Sequence, residues 1–95
     1  MLLDVVEVKP LGEYRLYVRF EDGASGSVDV AKLVNFQGVF APLRDQAFFD
    51  QVRVEPDLGT IAWPNGADID PVVLYSIATG EPLPDFTMAW TTGRG

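Results

Sequence analysis

The densest cluster of polar side chains lies at residues 63–70, which read Trp-Pro-Asn-Gly-Ala-Asp-Ile-Asp. Asn65, Asp68 and Asp70 offer the oxygen ligands that hard cations prefer, and two carboxylates two residues apart could share acid–base work. A calcium loop of the helix–loop–helix type also needs further oxygen ligands and a closing bidentate glutamate, which this stretch lacks. These three residues are therefore weak metal or catalytic candidates.

A structural role explains the same residues, and it is the one we expect. An Asn-Gly pair is typical of turns that need a positive φ, which suits residues 65–66. Asp70 precedes a proline, as a helix cap often does, and Trp63 is large and apolar enough for the core. If the stretch instead forms a surface site, its binding candidates are Trp63, Asn65, Asp68 and Tyr75.

The composition excludes most familiar catalytic sites. The chain has no histidine, and so lacks the usual general base near neutral pH and the commonest metal ligand. It has no cysteine, which removes disulfides, thiolate nucleophiles and cysteine-ligated metals. No glycine-rich phosphate-binding loop is present either. We therefore expect no catalytic residue, no cofactor and no enzymatic activity.

The charge is acidic and unevenly distributed. The formal net charge is −7, and residues 54–95 carry six acids against the single base Arg94, a balance of −5. Such a surface repels a phosphate backbone, so we expect no direct nucleic-acid binding and an easier fit to a basic protein. No apolar segment approaches the ~18–20 residues of a membrane span, and we expect a soluble cytoplasmic protein without membrane contact.

The elements that position these residues follow from hydrophobic spacing. Residues 14–21 alternate, with Tyr14, Leu16, Val18 and Phe20 on one face, which predicts a half-buried strand. A turn at 10–13 precedes it, and an Asp-Gly pair at 22–23 follows it, so residues 2–9, 14–21 and 24–30 form a three-stranded antiparallel meander. Gly26 weakens the third strand and indicates a bulge or an edge.

The middle of the chain contains elements with weaker local sequence signals. Asp29 caps a short helical turn through Leu33. For residues 39–51 two interpretations are open: a helix that begins at Pro42, or a shorter one capped by Asp45. Either places Phe40, Leu43 and one of Phe48 and Phe49 in the core.

A second hairpin and a helix follow. Residues 52–55 and 60–63 alternate around a Pro-Asp-Leu-Gly turn, and residues 64–66 then end the sheet. Asp70 and Pro71 begin a helix that Gly80 ends after Thr79, with an apolar stripe of Val73, Leu74 and Ile77. The predicted fold class is α+β: a small antiparallel sheet with two short helices, the clearest at 71–79.

Residues 1–80 are thus expected to form one domain, and residues 81–95 an extension. Phe86, Met88 and Trp90 alternate with small residues in this extension. Residues 86–90 form a last strand of the sheet, a segment that reaches a partner or a second copy, or frayed chain.

Several phrases resemble the domain-of-unknown-function 2442 family over about residues 2–75. They are Val-Glu-Val-Lys-Pro-Leu at 6–11, Tyr-Arg-Leu at 14–16, Phe-Glu-Asp-Gly at 20–23, Val-Phe-Ala-Pro-Leu-Arg-Asp at 39–45, Val-Arg-Val at 52–54, and Trp-Pro-Asn-Gly-Ala-Asp at 63–68 followed by Leu-Tyr at 74–75. The resemblance implies a small bacterial α+β domain. Such domains sometimes precede a helix-turn-helix domain, which residues 81–95 do not accommodate, and their genes often neighbour others in the manner of toxin–antitoxin pairs.

Three functions are consistent with these observations. The leading hypothesis is a non-enzymatic protein-interaction module, one member of a toxin–antitoxin-like pair, with a basic protein as partner. The second is a structural homo-oligomer that self-associates through a sheet edge. The third is a metal-dependent enzyme that uses Asp68 and Asp70.

Overall fold

A computed structural model describes residues 4–80 of the chain. Its first sheet consists of β1 (Val5–Gly12), β2 (Arg15–Phe20) and β3 (Ser25–Asp29), antiparallel in the order β1-β2-β3. The predicted meander is therefore confirmed. Leu16, Val18 and Phe20 are fully buried, as their alternation indicates, while the residues between them face outward.

The turn between β1 and β2 lies later than expected. β1 continues through Pro10, which an edge strand tolerates because its free side needs no N–H donor. The chain reverses at Glu13 and Tyr14, both of which have positive φ (55° and 63°), as tight hairpin turns require. Tyr14 thus precedes the strand, but its ring still packs on the core, 5.4 Å from the ring of Phe49.

The second sheet consists of β4 (Arg53–Glu55), β5 (Thr60–Ala62) and β6 (Asp68–Ile69), also antiparallel. The predicted hairpin of β4 and β5 is confirmed. The expectation that residues 64–66 end the sheet is wrong, because they turn the chain back so that β6 pairs with β5. The buried Thr60 hydroxyl donates to the Ile69 carbonyl and ties these two strands together. A two-residue strand is too short for alternation to reveal.

Short helical segments connect the two sheets. A 3-10 turn spans Val30–Lys32, and Asp29 caps it as predicted, accepting from the Ala31 amide at 3.2 Å. A second 3-10 segment spans Gly38–Arg44, and α1 follows at Gln46–Phe49. Of the two open interpretations, the shorter helix forms: Asp45 accepts from the Ala47 amide at 3.0 Å.

Both sheets, the two 3-10 segments, α1 and α2 contribute buried residues to the core. Leu43 and Phe49 are fully buried, and Phe40 and Phe48 are partly buried against them, in line with the sequence. Among residues 4–80, no helix has the length and apolar character needed to cross a membrane.

The last described element, α2, spans Pro71–Thr79, the predicted bounds. The Asp70 carboxylate accepts from the Val72 amide at 2.8 Å, and Gly80 ends the helix in the left-handed region (φ 82°). The predicted apolar stripe is only partly right. Leu74 is buried, but Ile77 is 43% exposed.

The rotation of α2 follows from its close contact with β3. A Cβ atom on Gly26 would lie 2.0 Å from the Ala78 carbonyl oxygen, so only glycine lets the helix backbone approach this strand. Gly26 pairs regularly with Val18 in an edge strand and forms no bulge. Ala78 is partly buried against the core, whereas Ile77, about 100° away around the helix axis, is exposed.

Candidate functional site

Residues 63–70, the strongest candidate from sequence, form the turn between β5 and β6, the strand β6 and the N-cap of α2. Trp63 is 1% exposed, and its indole N–H donates to the Phe49 carbonyl at 2.9 Å. The Asn65 amide donates to the Val39 carbonyl at 2.8 Å, and its oxygen accepts from the Ala67 amide at 3.2 Å. Trp63 therefore belongs to the core and presents no ring to a partner.

The three oxygen-bearing candidates of this stretch have separate surroundings. The side chain of Asn65 bridges two backbone segments, and the carboxylate of Asp70 caps α2. Asp68 is exposed on β6. Within the part of the chain that the structure describes, no three acidic side chains are grouped as a metal site requires.

Tyr75 connects α2 to the turn between β2 and β3. Its hydroxyl donates to the Asp22 carboxylate at 2.7 Å, and its ring meets that of Phe20 edge-on at 4.9 Å. The hydrogen bond from Tyr75 is the largest cause that lowers the pKa of Asp22, and the one from the Ala24 amide is the next largest. The remaining candidates, Phe86, Met88 and Trp90, lie outside the described residues.

A surface groove lies where the two sheets meet. Two backbone hydrogen bonds join its walls: the Val5 amide donates to the Gly59 carbonyl (3.0 Å), and the Glu21 amide donates to the Asp4 carbonyl (2.8 Å). The groove has a volume of about 270 Å³. Its lining residues are Asp4, Val5, Val6, Glu21, Val54, Pro56 and Gly59.

One wall of the groove is exposed apolar surface. Val5 pairs with Phe20 and Glu7 with Arg19, so Val6 is an extra residue in β1 that bulges from the ladder. As a result Val6 is 43% exposed, although both its neighbours keep their places in the sheet. Leu58, in the turn between β4 and β5 and next in sequence to the lining residue Gly59, is 57% exposed.

The rim of the groove is acidic. Gly59 has φ 69°, and a Cβ atom on it would lie 2.5 Å from the Asp4 carboxylate, which therefore rests directly over this glycine. Glu21 is held beside Asp4 by the backbone hydrogen bond between them. Asp57 is exposed in the turn between the lining residues Pro56 and Gly59.

These carboxylates differ from most others in residues 4–80. Eight of the twelve acids in that range accept a hydrogen bond or pair with a base: Glu7, Glu13, Asp22, Asp29, Asp45, Asp50, Glu55 and Asp70. The four without such a contact to another described residue are Asp4, Glu21, Asp57 and Asp68. Two of these four, Asp4 and Glu21, line the groove, and Asp57 directly follows the lining residue Pro56 in sequence.

Sequence patterns did not reveal this groove, because its lining comes from separate segments around residues 4–6, 21, 54–56 and 59. One local signal was present: the adjacent Val5 and Val6 interrupt the alternation of β1. The lining holds no hydroxyl, amine or thiol nucleophile. It offers apolar side chains and the two carboxylates of Asp4 and Glu21.

Comparison with known proteins agrees with the resemblance seen in the sequence. No curated protein and no solved structure matches the chain. The family model described as "Protein of unknown function (DUF2442)" matches residues 5–80, which include all the strands and helices described above. The chain therefore belongs to the DUF2442 family.

Proposed function

We propose that this chain is a non-enzymatic protein-binding module whose described binding surface is the groove between the two sheets. The observation that carries the proposal is the combination of exposed apolar walls with carboxylates that have no partner in residues 4–80. Buried apolar anchors supply most of the affinity of protein interfaces, while charges around them steer the partner.

The composition supports binding over catalysis. The chain contains no histidine or cysteine, and the groove offers no hydroxyl, amine or thiol nucleophile. Residues 4–80 have twelve acids and six bases, a balance of −6, so a basic partner is attracted from a distance. The finer proposal, drawn from the family resemblance, is that the partner is the second member of a toxin–antitoxin-like pair.

Self-association is the alternative. Two identical chains of net charge −7 repel each other, which favours a basic partner over a second copy. Light scattering coupled to size exclusion separates the two, because a homo-oligomer exceeds the 10.4 kDa chain mass in the purified protein without any partner.

Affinity purification from the native host tests the proposal with two charge-reversal variants. Glu21→Arg places a cation on the groove rim, whereas Glu13→Arg makes the same change at the opposite end of the first sheet. We expect the partner protein to co-purify with the wild type and with Glu13→Arg. It should be lost with Glu21→Arg. Equal recovery with all three, or a lone monomer at physiological salt, contradicts the proposal.

A further inference from the structure

We propose that the groove binds an arginine side chain of the partner, with the guanidinium between Asp4 and Glu21 and the aliphatic stem along Val6, Val54 and Pro56. This inference rests on the proposed function and specifies the chemistry of its ligand. The groove has both features that such a side chain requires: apolar walls for the stem, and for the head two carboxylates from lining residues whose backbones are hydrogen-bonded to each other.

The size of the groove suits one or two side chains. Its volume of about 270 Å³ lies just below the ~300–1,000 Å³ typical of small-molecule pockets. Val6 in the groove wall is 43% exposed and Leu58, next in sequence to the lining residue Gly59, is 57% exposed, so apolar side chains are also available to residues that flank the inserted one.

The charge distribution selects a cation. No base lines the groove, and the nearest base in sequence to its lining, Arg53, pairs with Glu55 at 3.3 Å. Asp4, Glu21 and Asp57 therefore lack an intramolecular counter-ion within residues 4–80. An anionic ligand such as a phosphate is repelled by the same three groups.

Arginine fits these groups better than lysine. Its planar guanidinium has five donors in a fixed fork, so it can serve both carboxylates, and it is less strongly hydrated than an ammonium. The walls also favour it, because weak hydration lowers the cost of placing the head against apolar surface.

Nitrogen-15 NMR titration of the full chain tests the inference. The probe is the peptide acetyl-Gly-Val-Arg-Val-Gly-amide, and its matched control carries citrulline, which has the same shape without the charge. We expect arginine-dependent shifts concentrated at the amides of Val5, Val6, Glu21 and Gly59. The citrulline peptide should produce much weaker shifts, and salt should reduce those caused by arginine.

Variants that remove single charges test which carboxylates bind the arginine peptide. Asp4→Asn and Glu21→Gln should each weaken binding of the arginine peptide roughly two- to fivefold, the range of an exposed ion pair, and the double variant about tenfold. Glu13→Gln removes the same charge from an 88% exposed side chain far from the groove and should leave binding unchanged. Because all these side chains are at the surface, the variants retain the fold, which the amide spectrum verifies.

The results also separate this inference from the proposed function. Shifts spread over the acidic surface, or equal shifts with citrulline, overturn the arginine assignment. If Glu21→Arg nevertheless loses the co-purified protein, the binding module stands and only its ligand is different. If the co-purification fails as well, the proposed function falls with it.

Discussion

At the residue scale, Trp63 joins the turn before β6 to α1. Its ring is buried, 5.7 Å from the ring of Phe49, and its N–H donates to the Phe49 carbonyl. Trp63→Ala should therefore destabilise the protein by about 3–5 kcal/mol, measured by urea unfolding. Trp63→Phe, which retains an apolar ring but loses the hydrogen bond, should cost about 1–3 kcal/mol. A loss below ~1 kcal/mol in the alanine variant would mean that the ring is not in the core.

The Tyr75–Asp22 hydrogen bond predicts a pH effect. A carboxyl group whose pKa is lowered by folding adds stability above its unfolded-state pKa, and this stability is lost as pH falls through the folded-state value. Tyr75→Phe should raise the pKa of Asp22 and reduce the loss of stability in acid. Carboxyl NMR titration measures the pKa of Asp22. Urea unfolding midpoints from neutral to acidic pH measure the loss of stability. Tyr17→Phe, on the outer face of β2, is the control; an unchanged Asp22 titration in Tyr75→Phe would contradict the prediction.

At the element scale, the contact between α2 and β3 depends on Gly26. Gly26→Ala should cost about 1–3 kcal/mol, the range of an overpacked core, because the new methyl group meets the Ala78 carbonyl. Ala78→Gly should not restore the stability, since the clash is with backbone and not with the Ala78 side chain. Ser27→Ala, exposed in the same strand, should change stability by less than ~0.5 kcal/mol. Equal stability of Gly26→Ala and Ser27→Ala in thermal and urea unfolding would contradict this prediction.

Local signals explain which elements the sequence predicts well. The limits of α2 depend on Asp70, Pro71 and Gly80, which act within one turn of the helix, so their effect can be recognised without knowing the fold. The rotation of α2 depends on Gly26, a residue distant in sequence, and could not be foreseen. β6 was missed for a similar reason, because two residues become a strand only when β5 lies beside them. The groove, assembled from separate segments, is the extreme case.

At the scale of the whole molecule, the family match ends at residue 80, just after the last described element, α2. The buried hydrophobic residues extend from Val5 to Leu74, and the groove from Asp4 to Gly59. A chain shortened by removal of residues 81–95 should therefore unfold cooperatively and bind the arginine peptide with unchanged affinity. Denaturant unfolding and the NMR titration check this. Loss of either property would show that these residues belong to the domain.

The same truncation assigns a role to Phe86, Met88 and Trp90. If they add apolar contacts to the partner, removal should weaken binding of the co-purified protein while leaving the peptide affinity intact, since hot-spot aromatics act through their own pockets. Calorimetry with both ligands separates the two contributions. Equal affinity of the shortened and complete chains for the partner would confine the interface to the groove.

The side chain at position 6 forms part of the groove wall, but the extra residue has no cross-strand partner in the sheet. Val5 and Glu7 keep their cross-strand partners whatever side chain stands between them, so position 6 can change size or charge at little cost to the core. Substitution at this single position should therefore reshape the wall of the groove while the hairpin beneath it stays the same. Position 6 is accordingly the first place to alter when a variant with a new binding preference is sought.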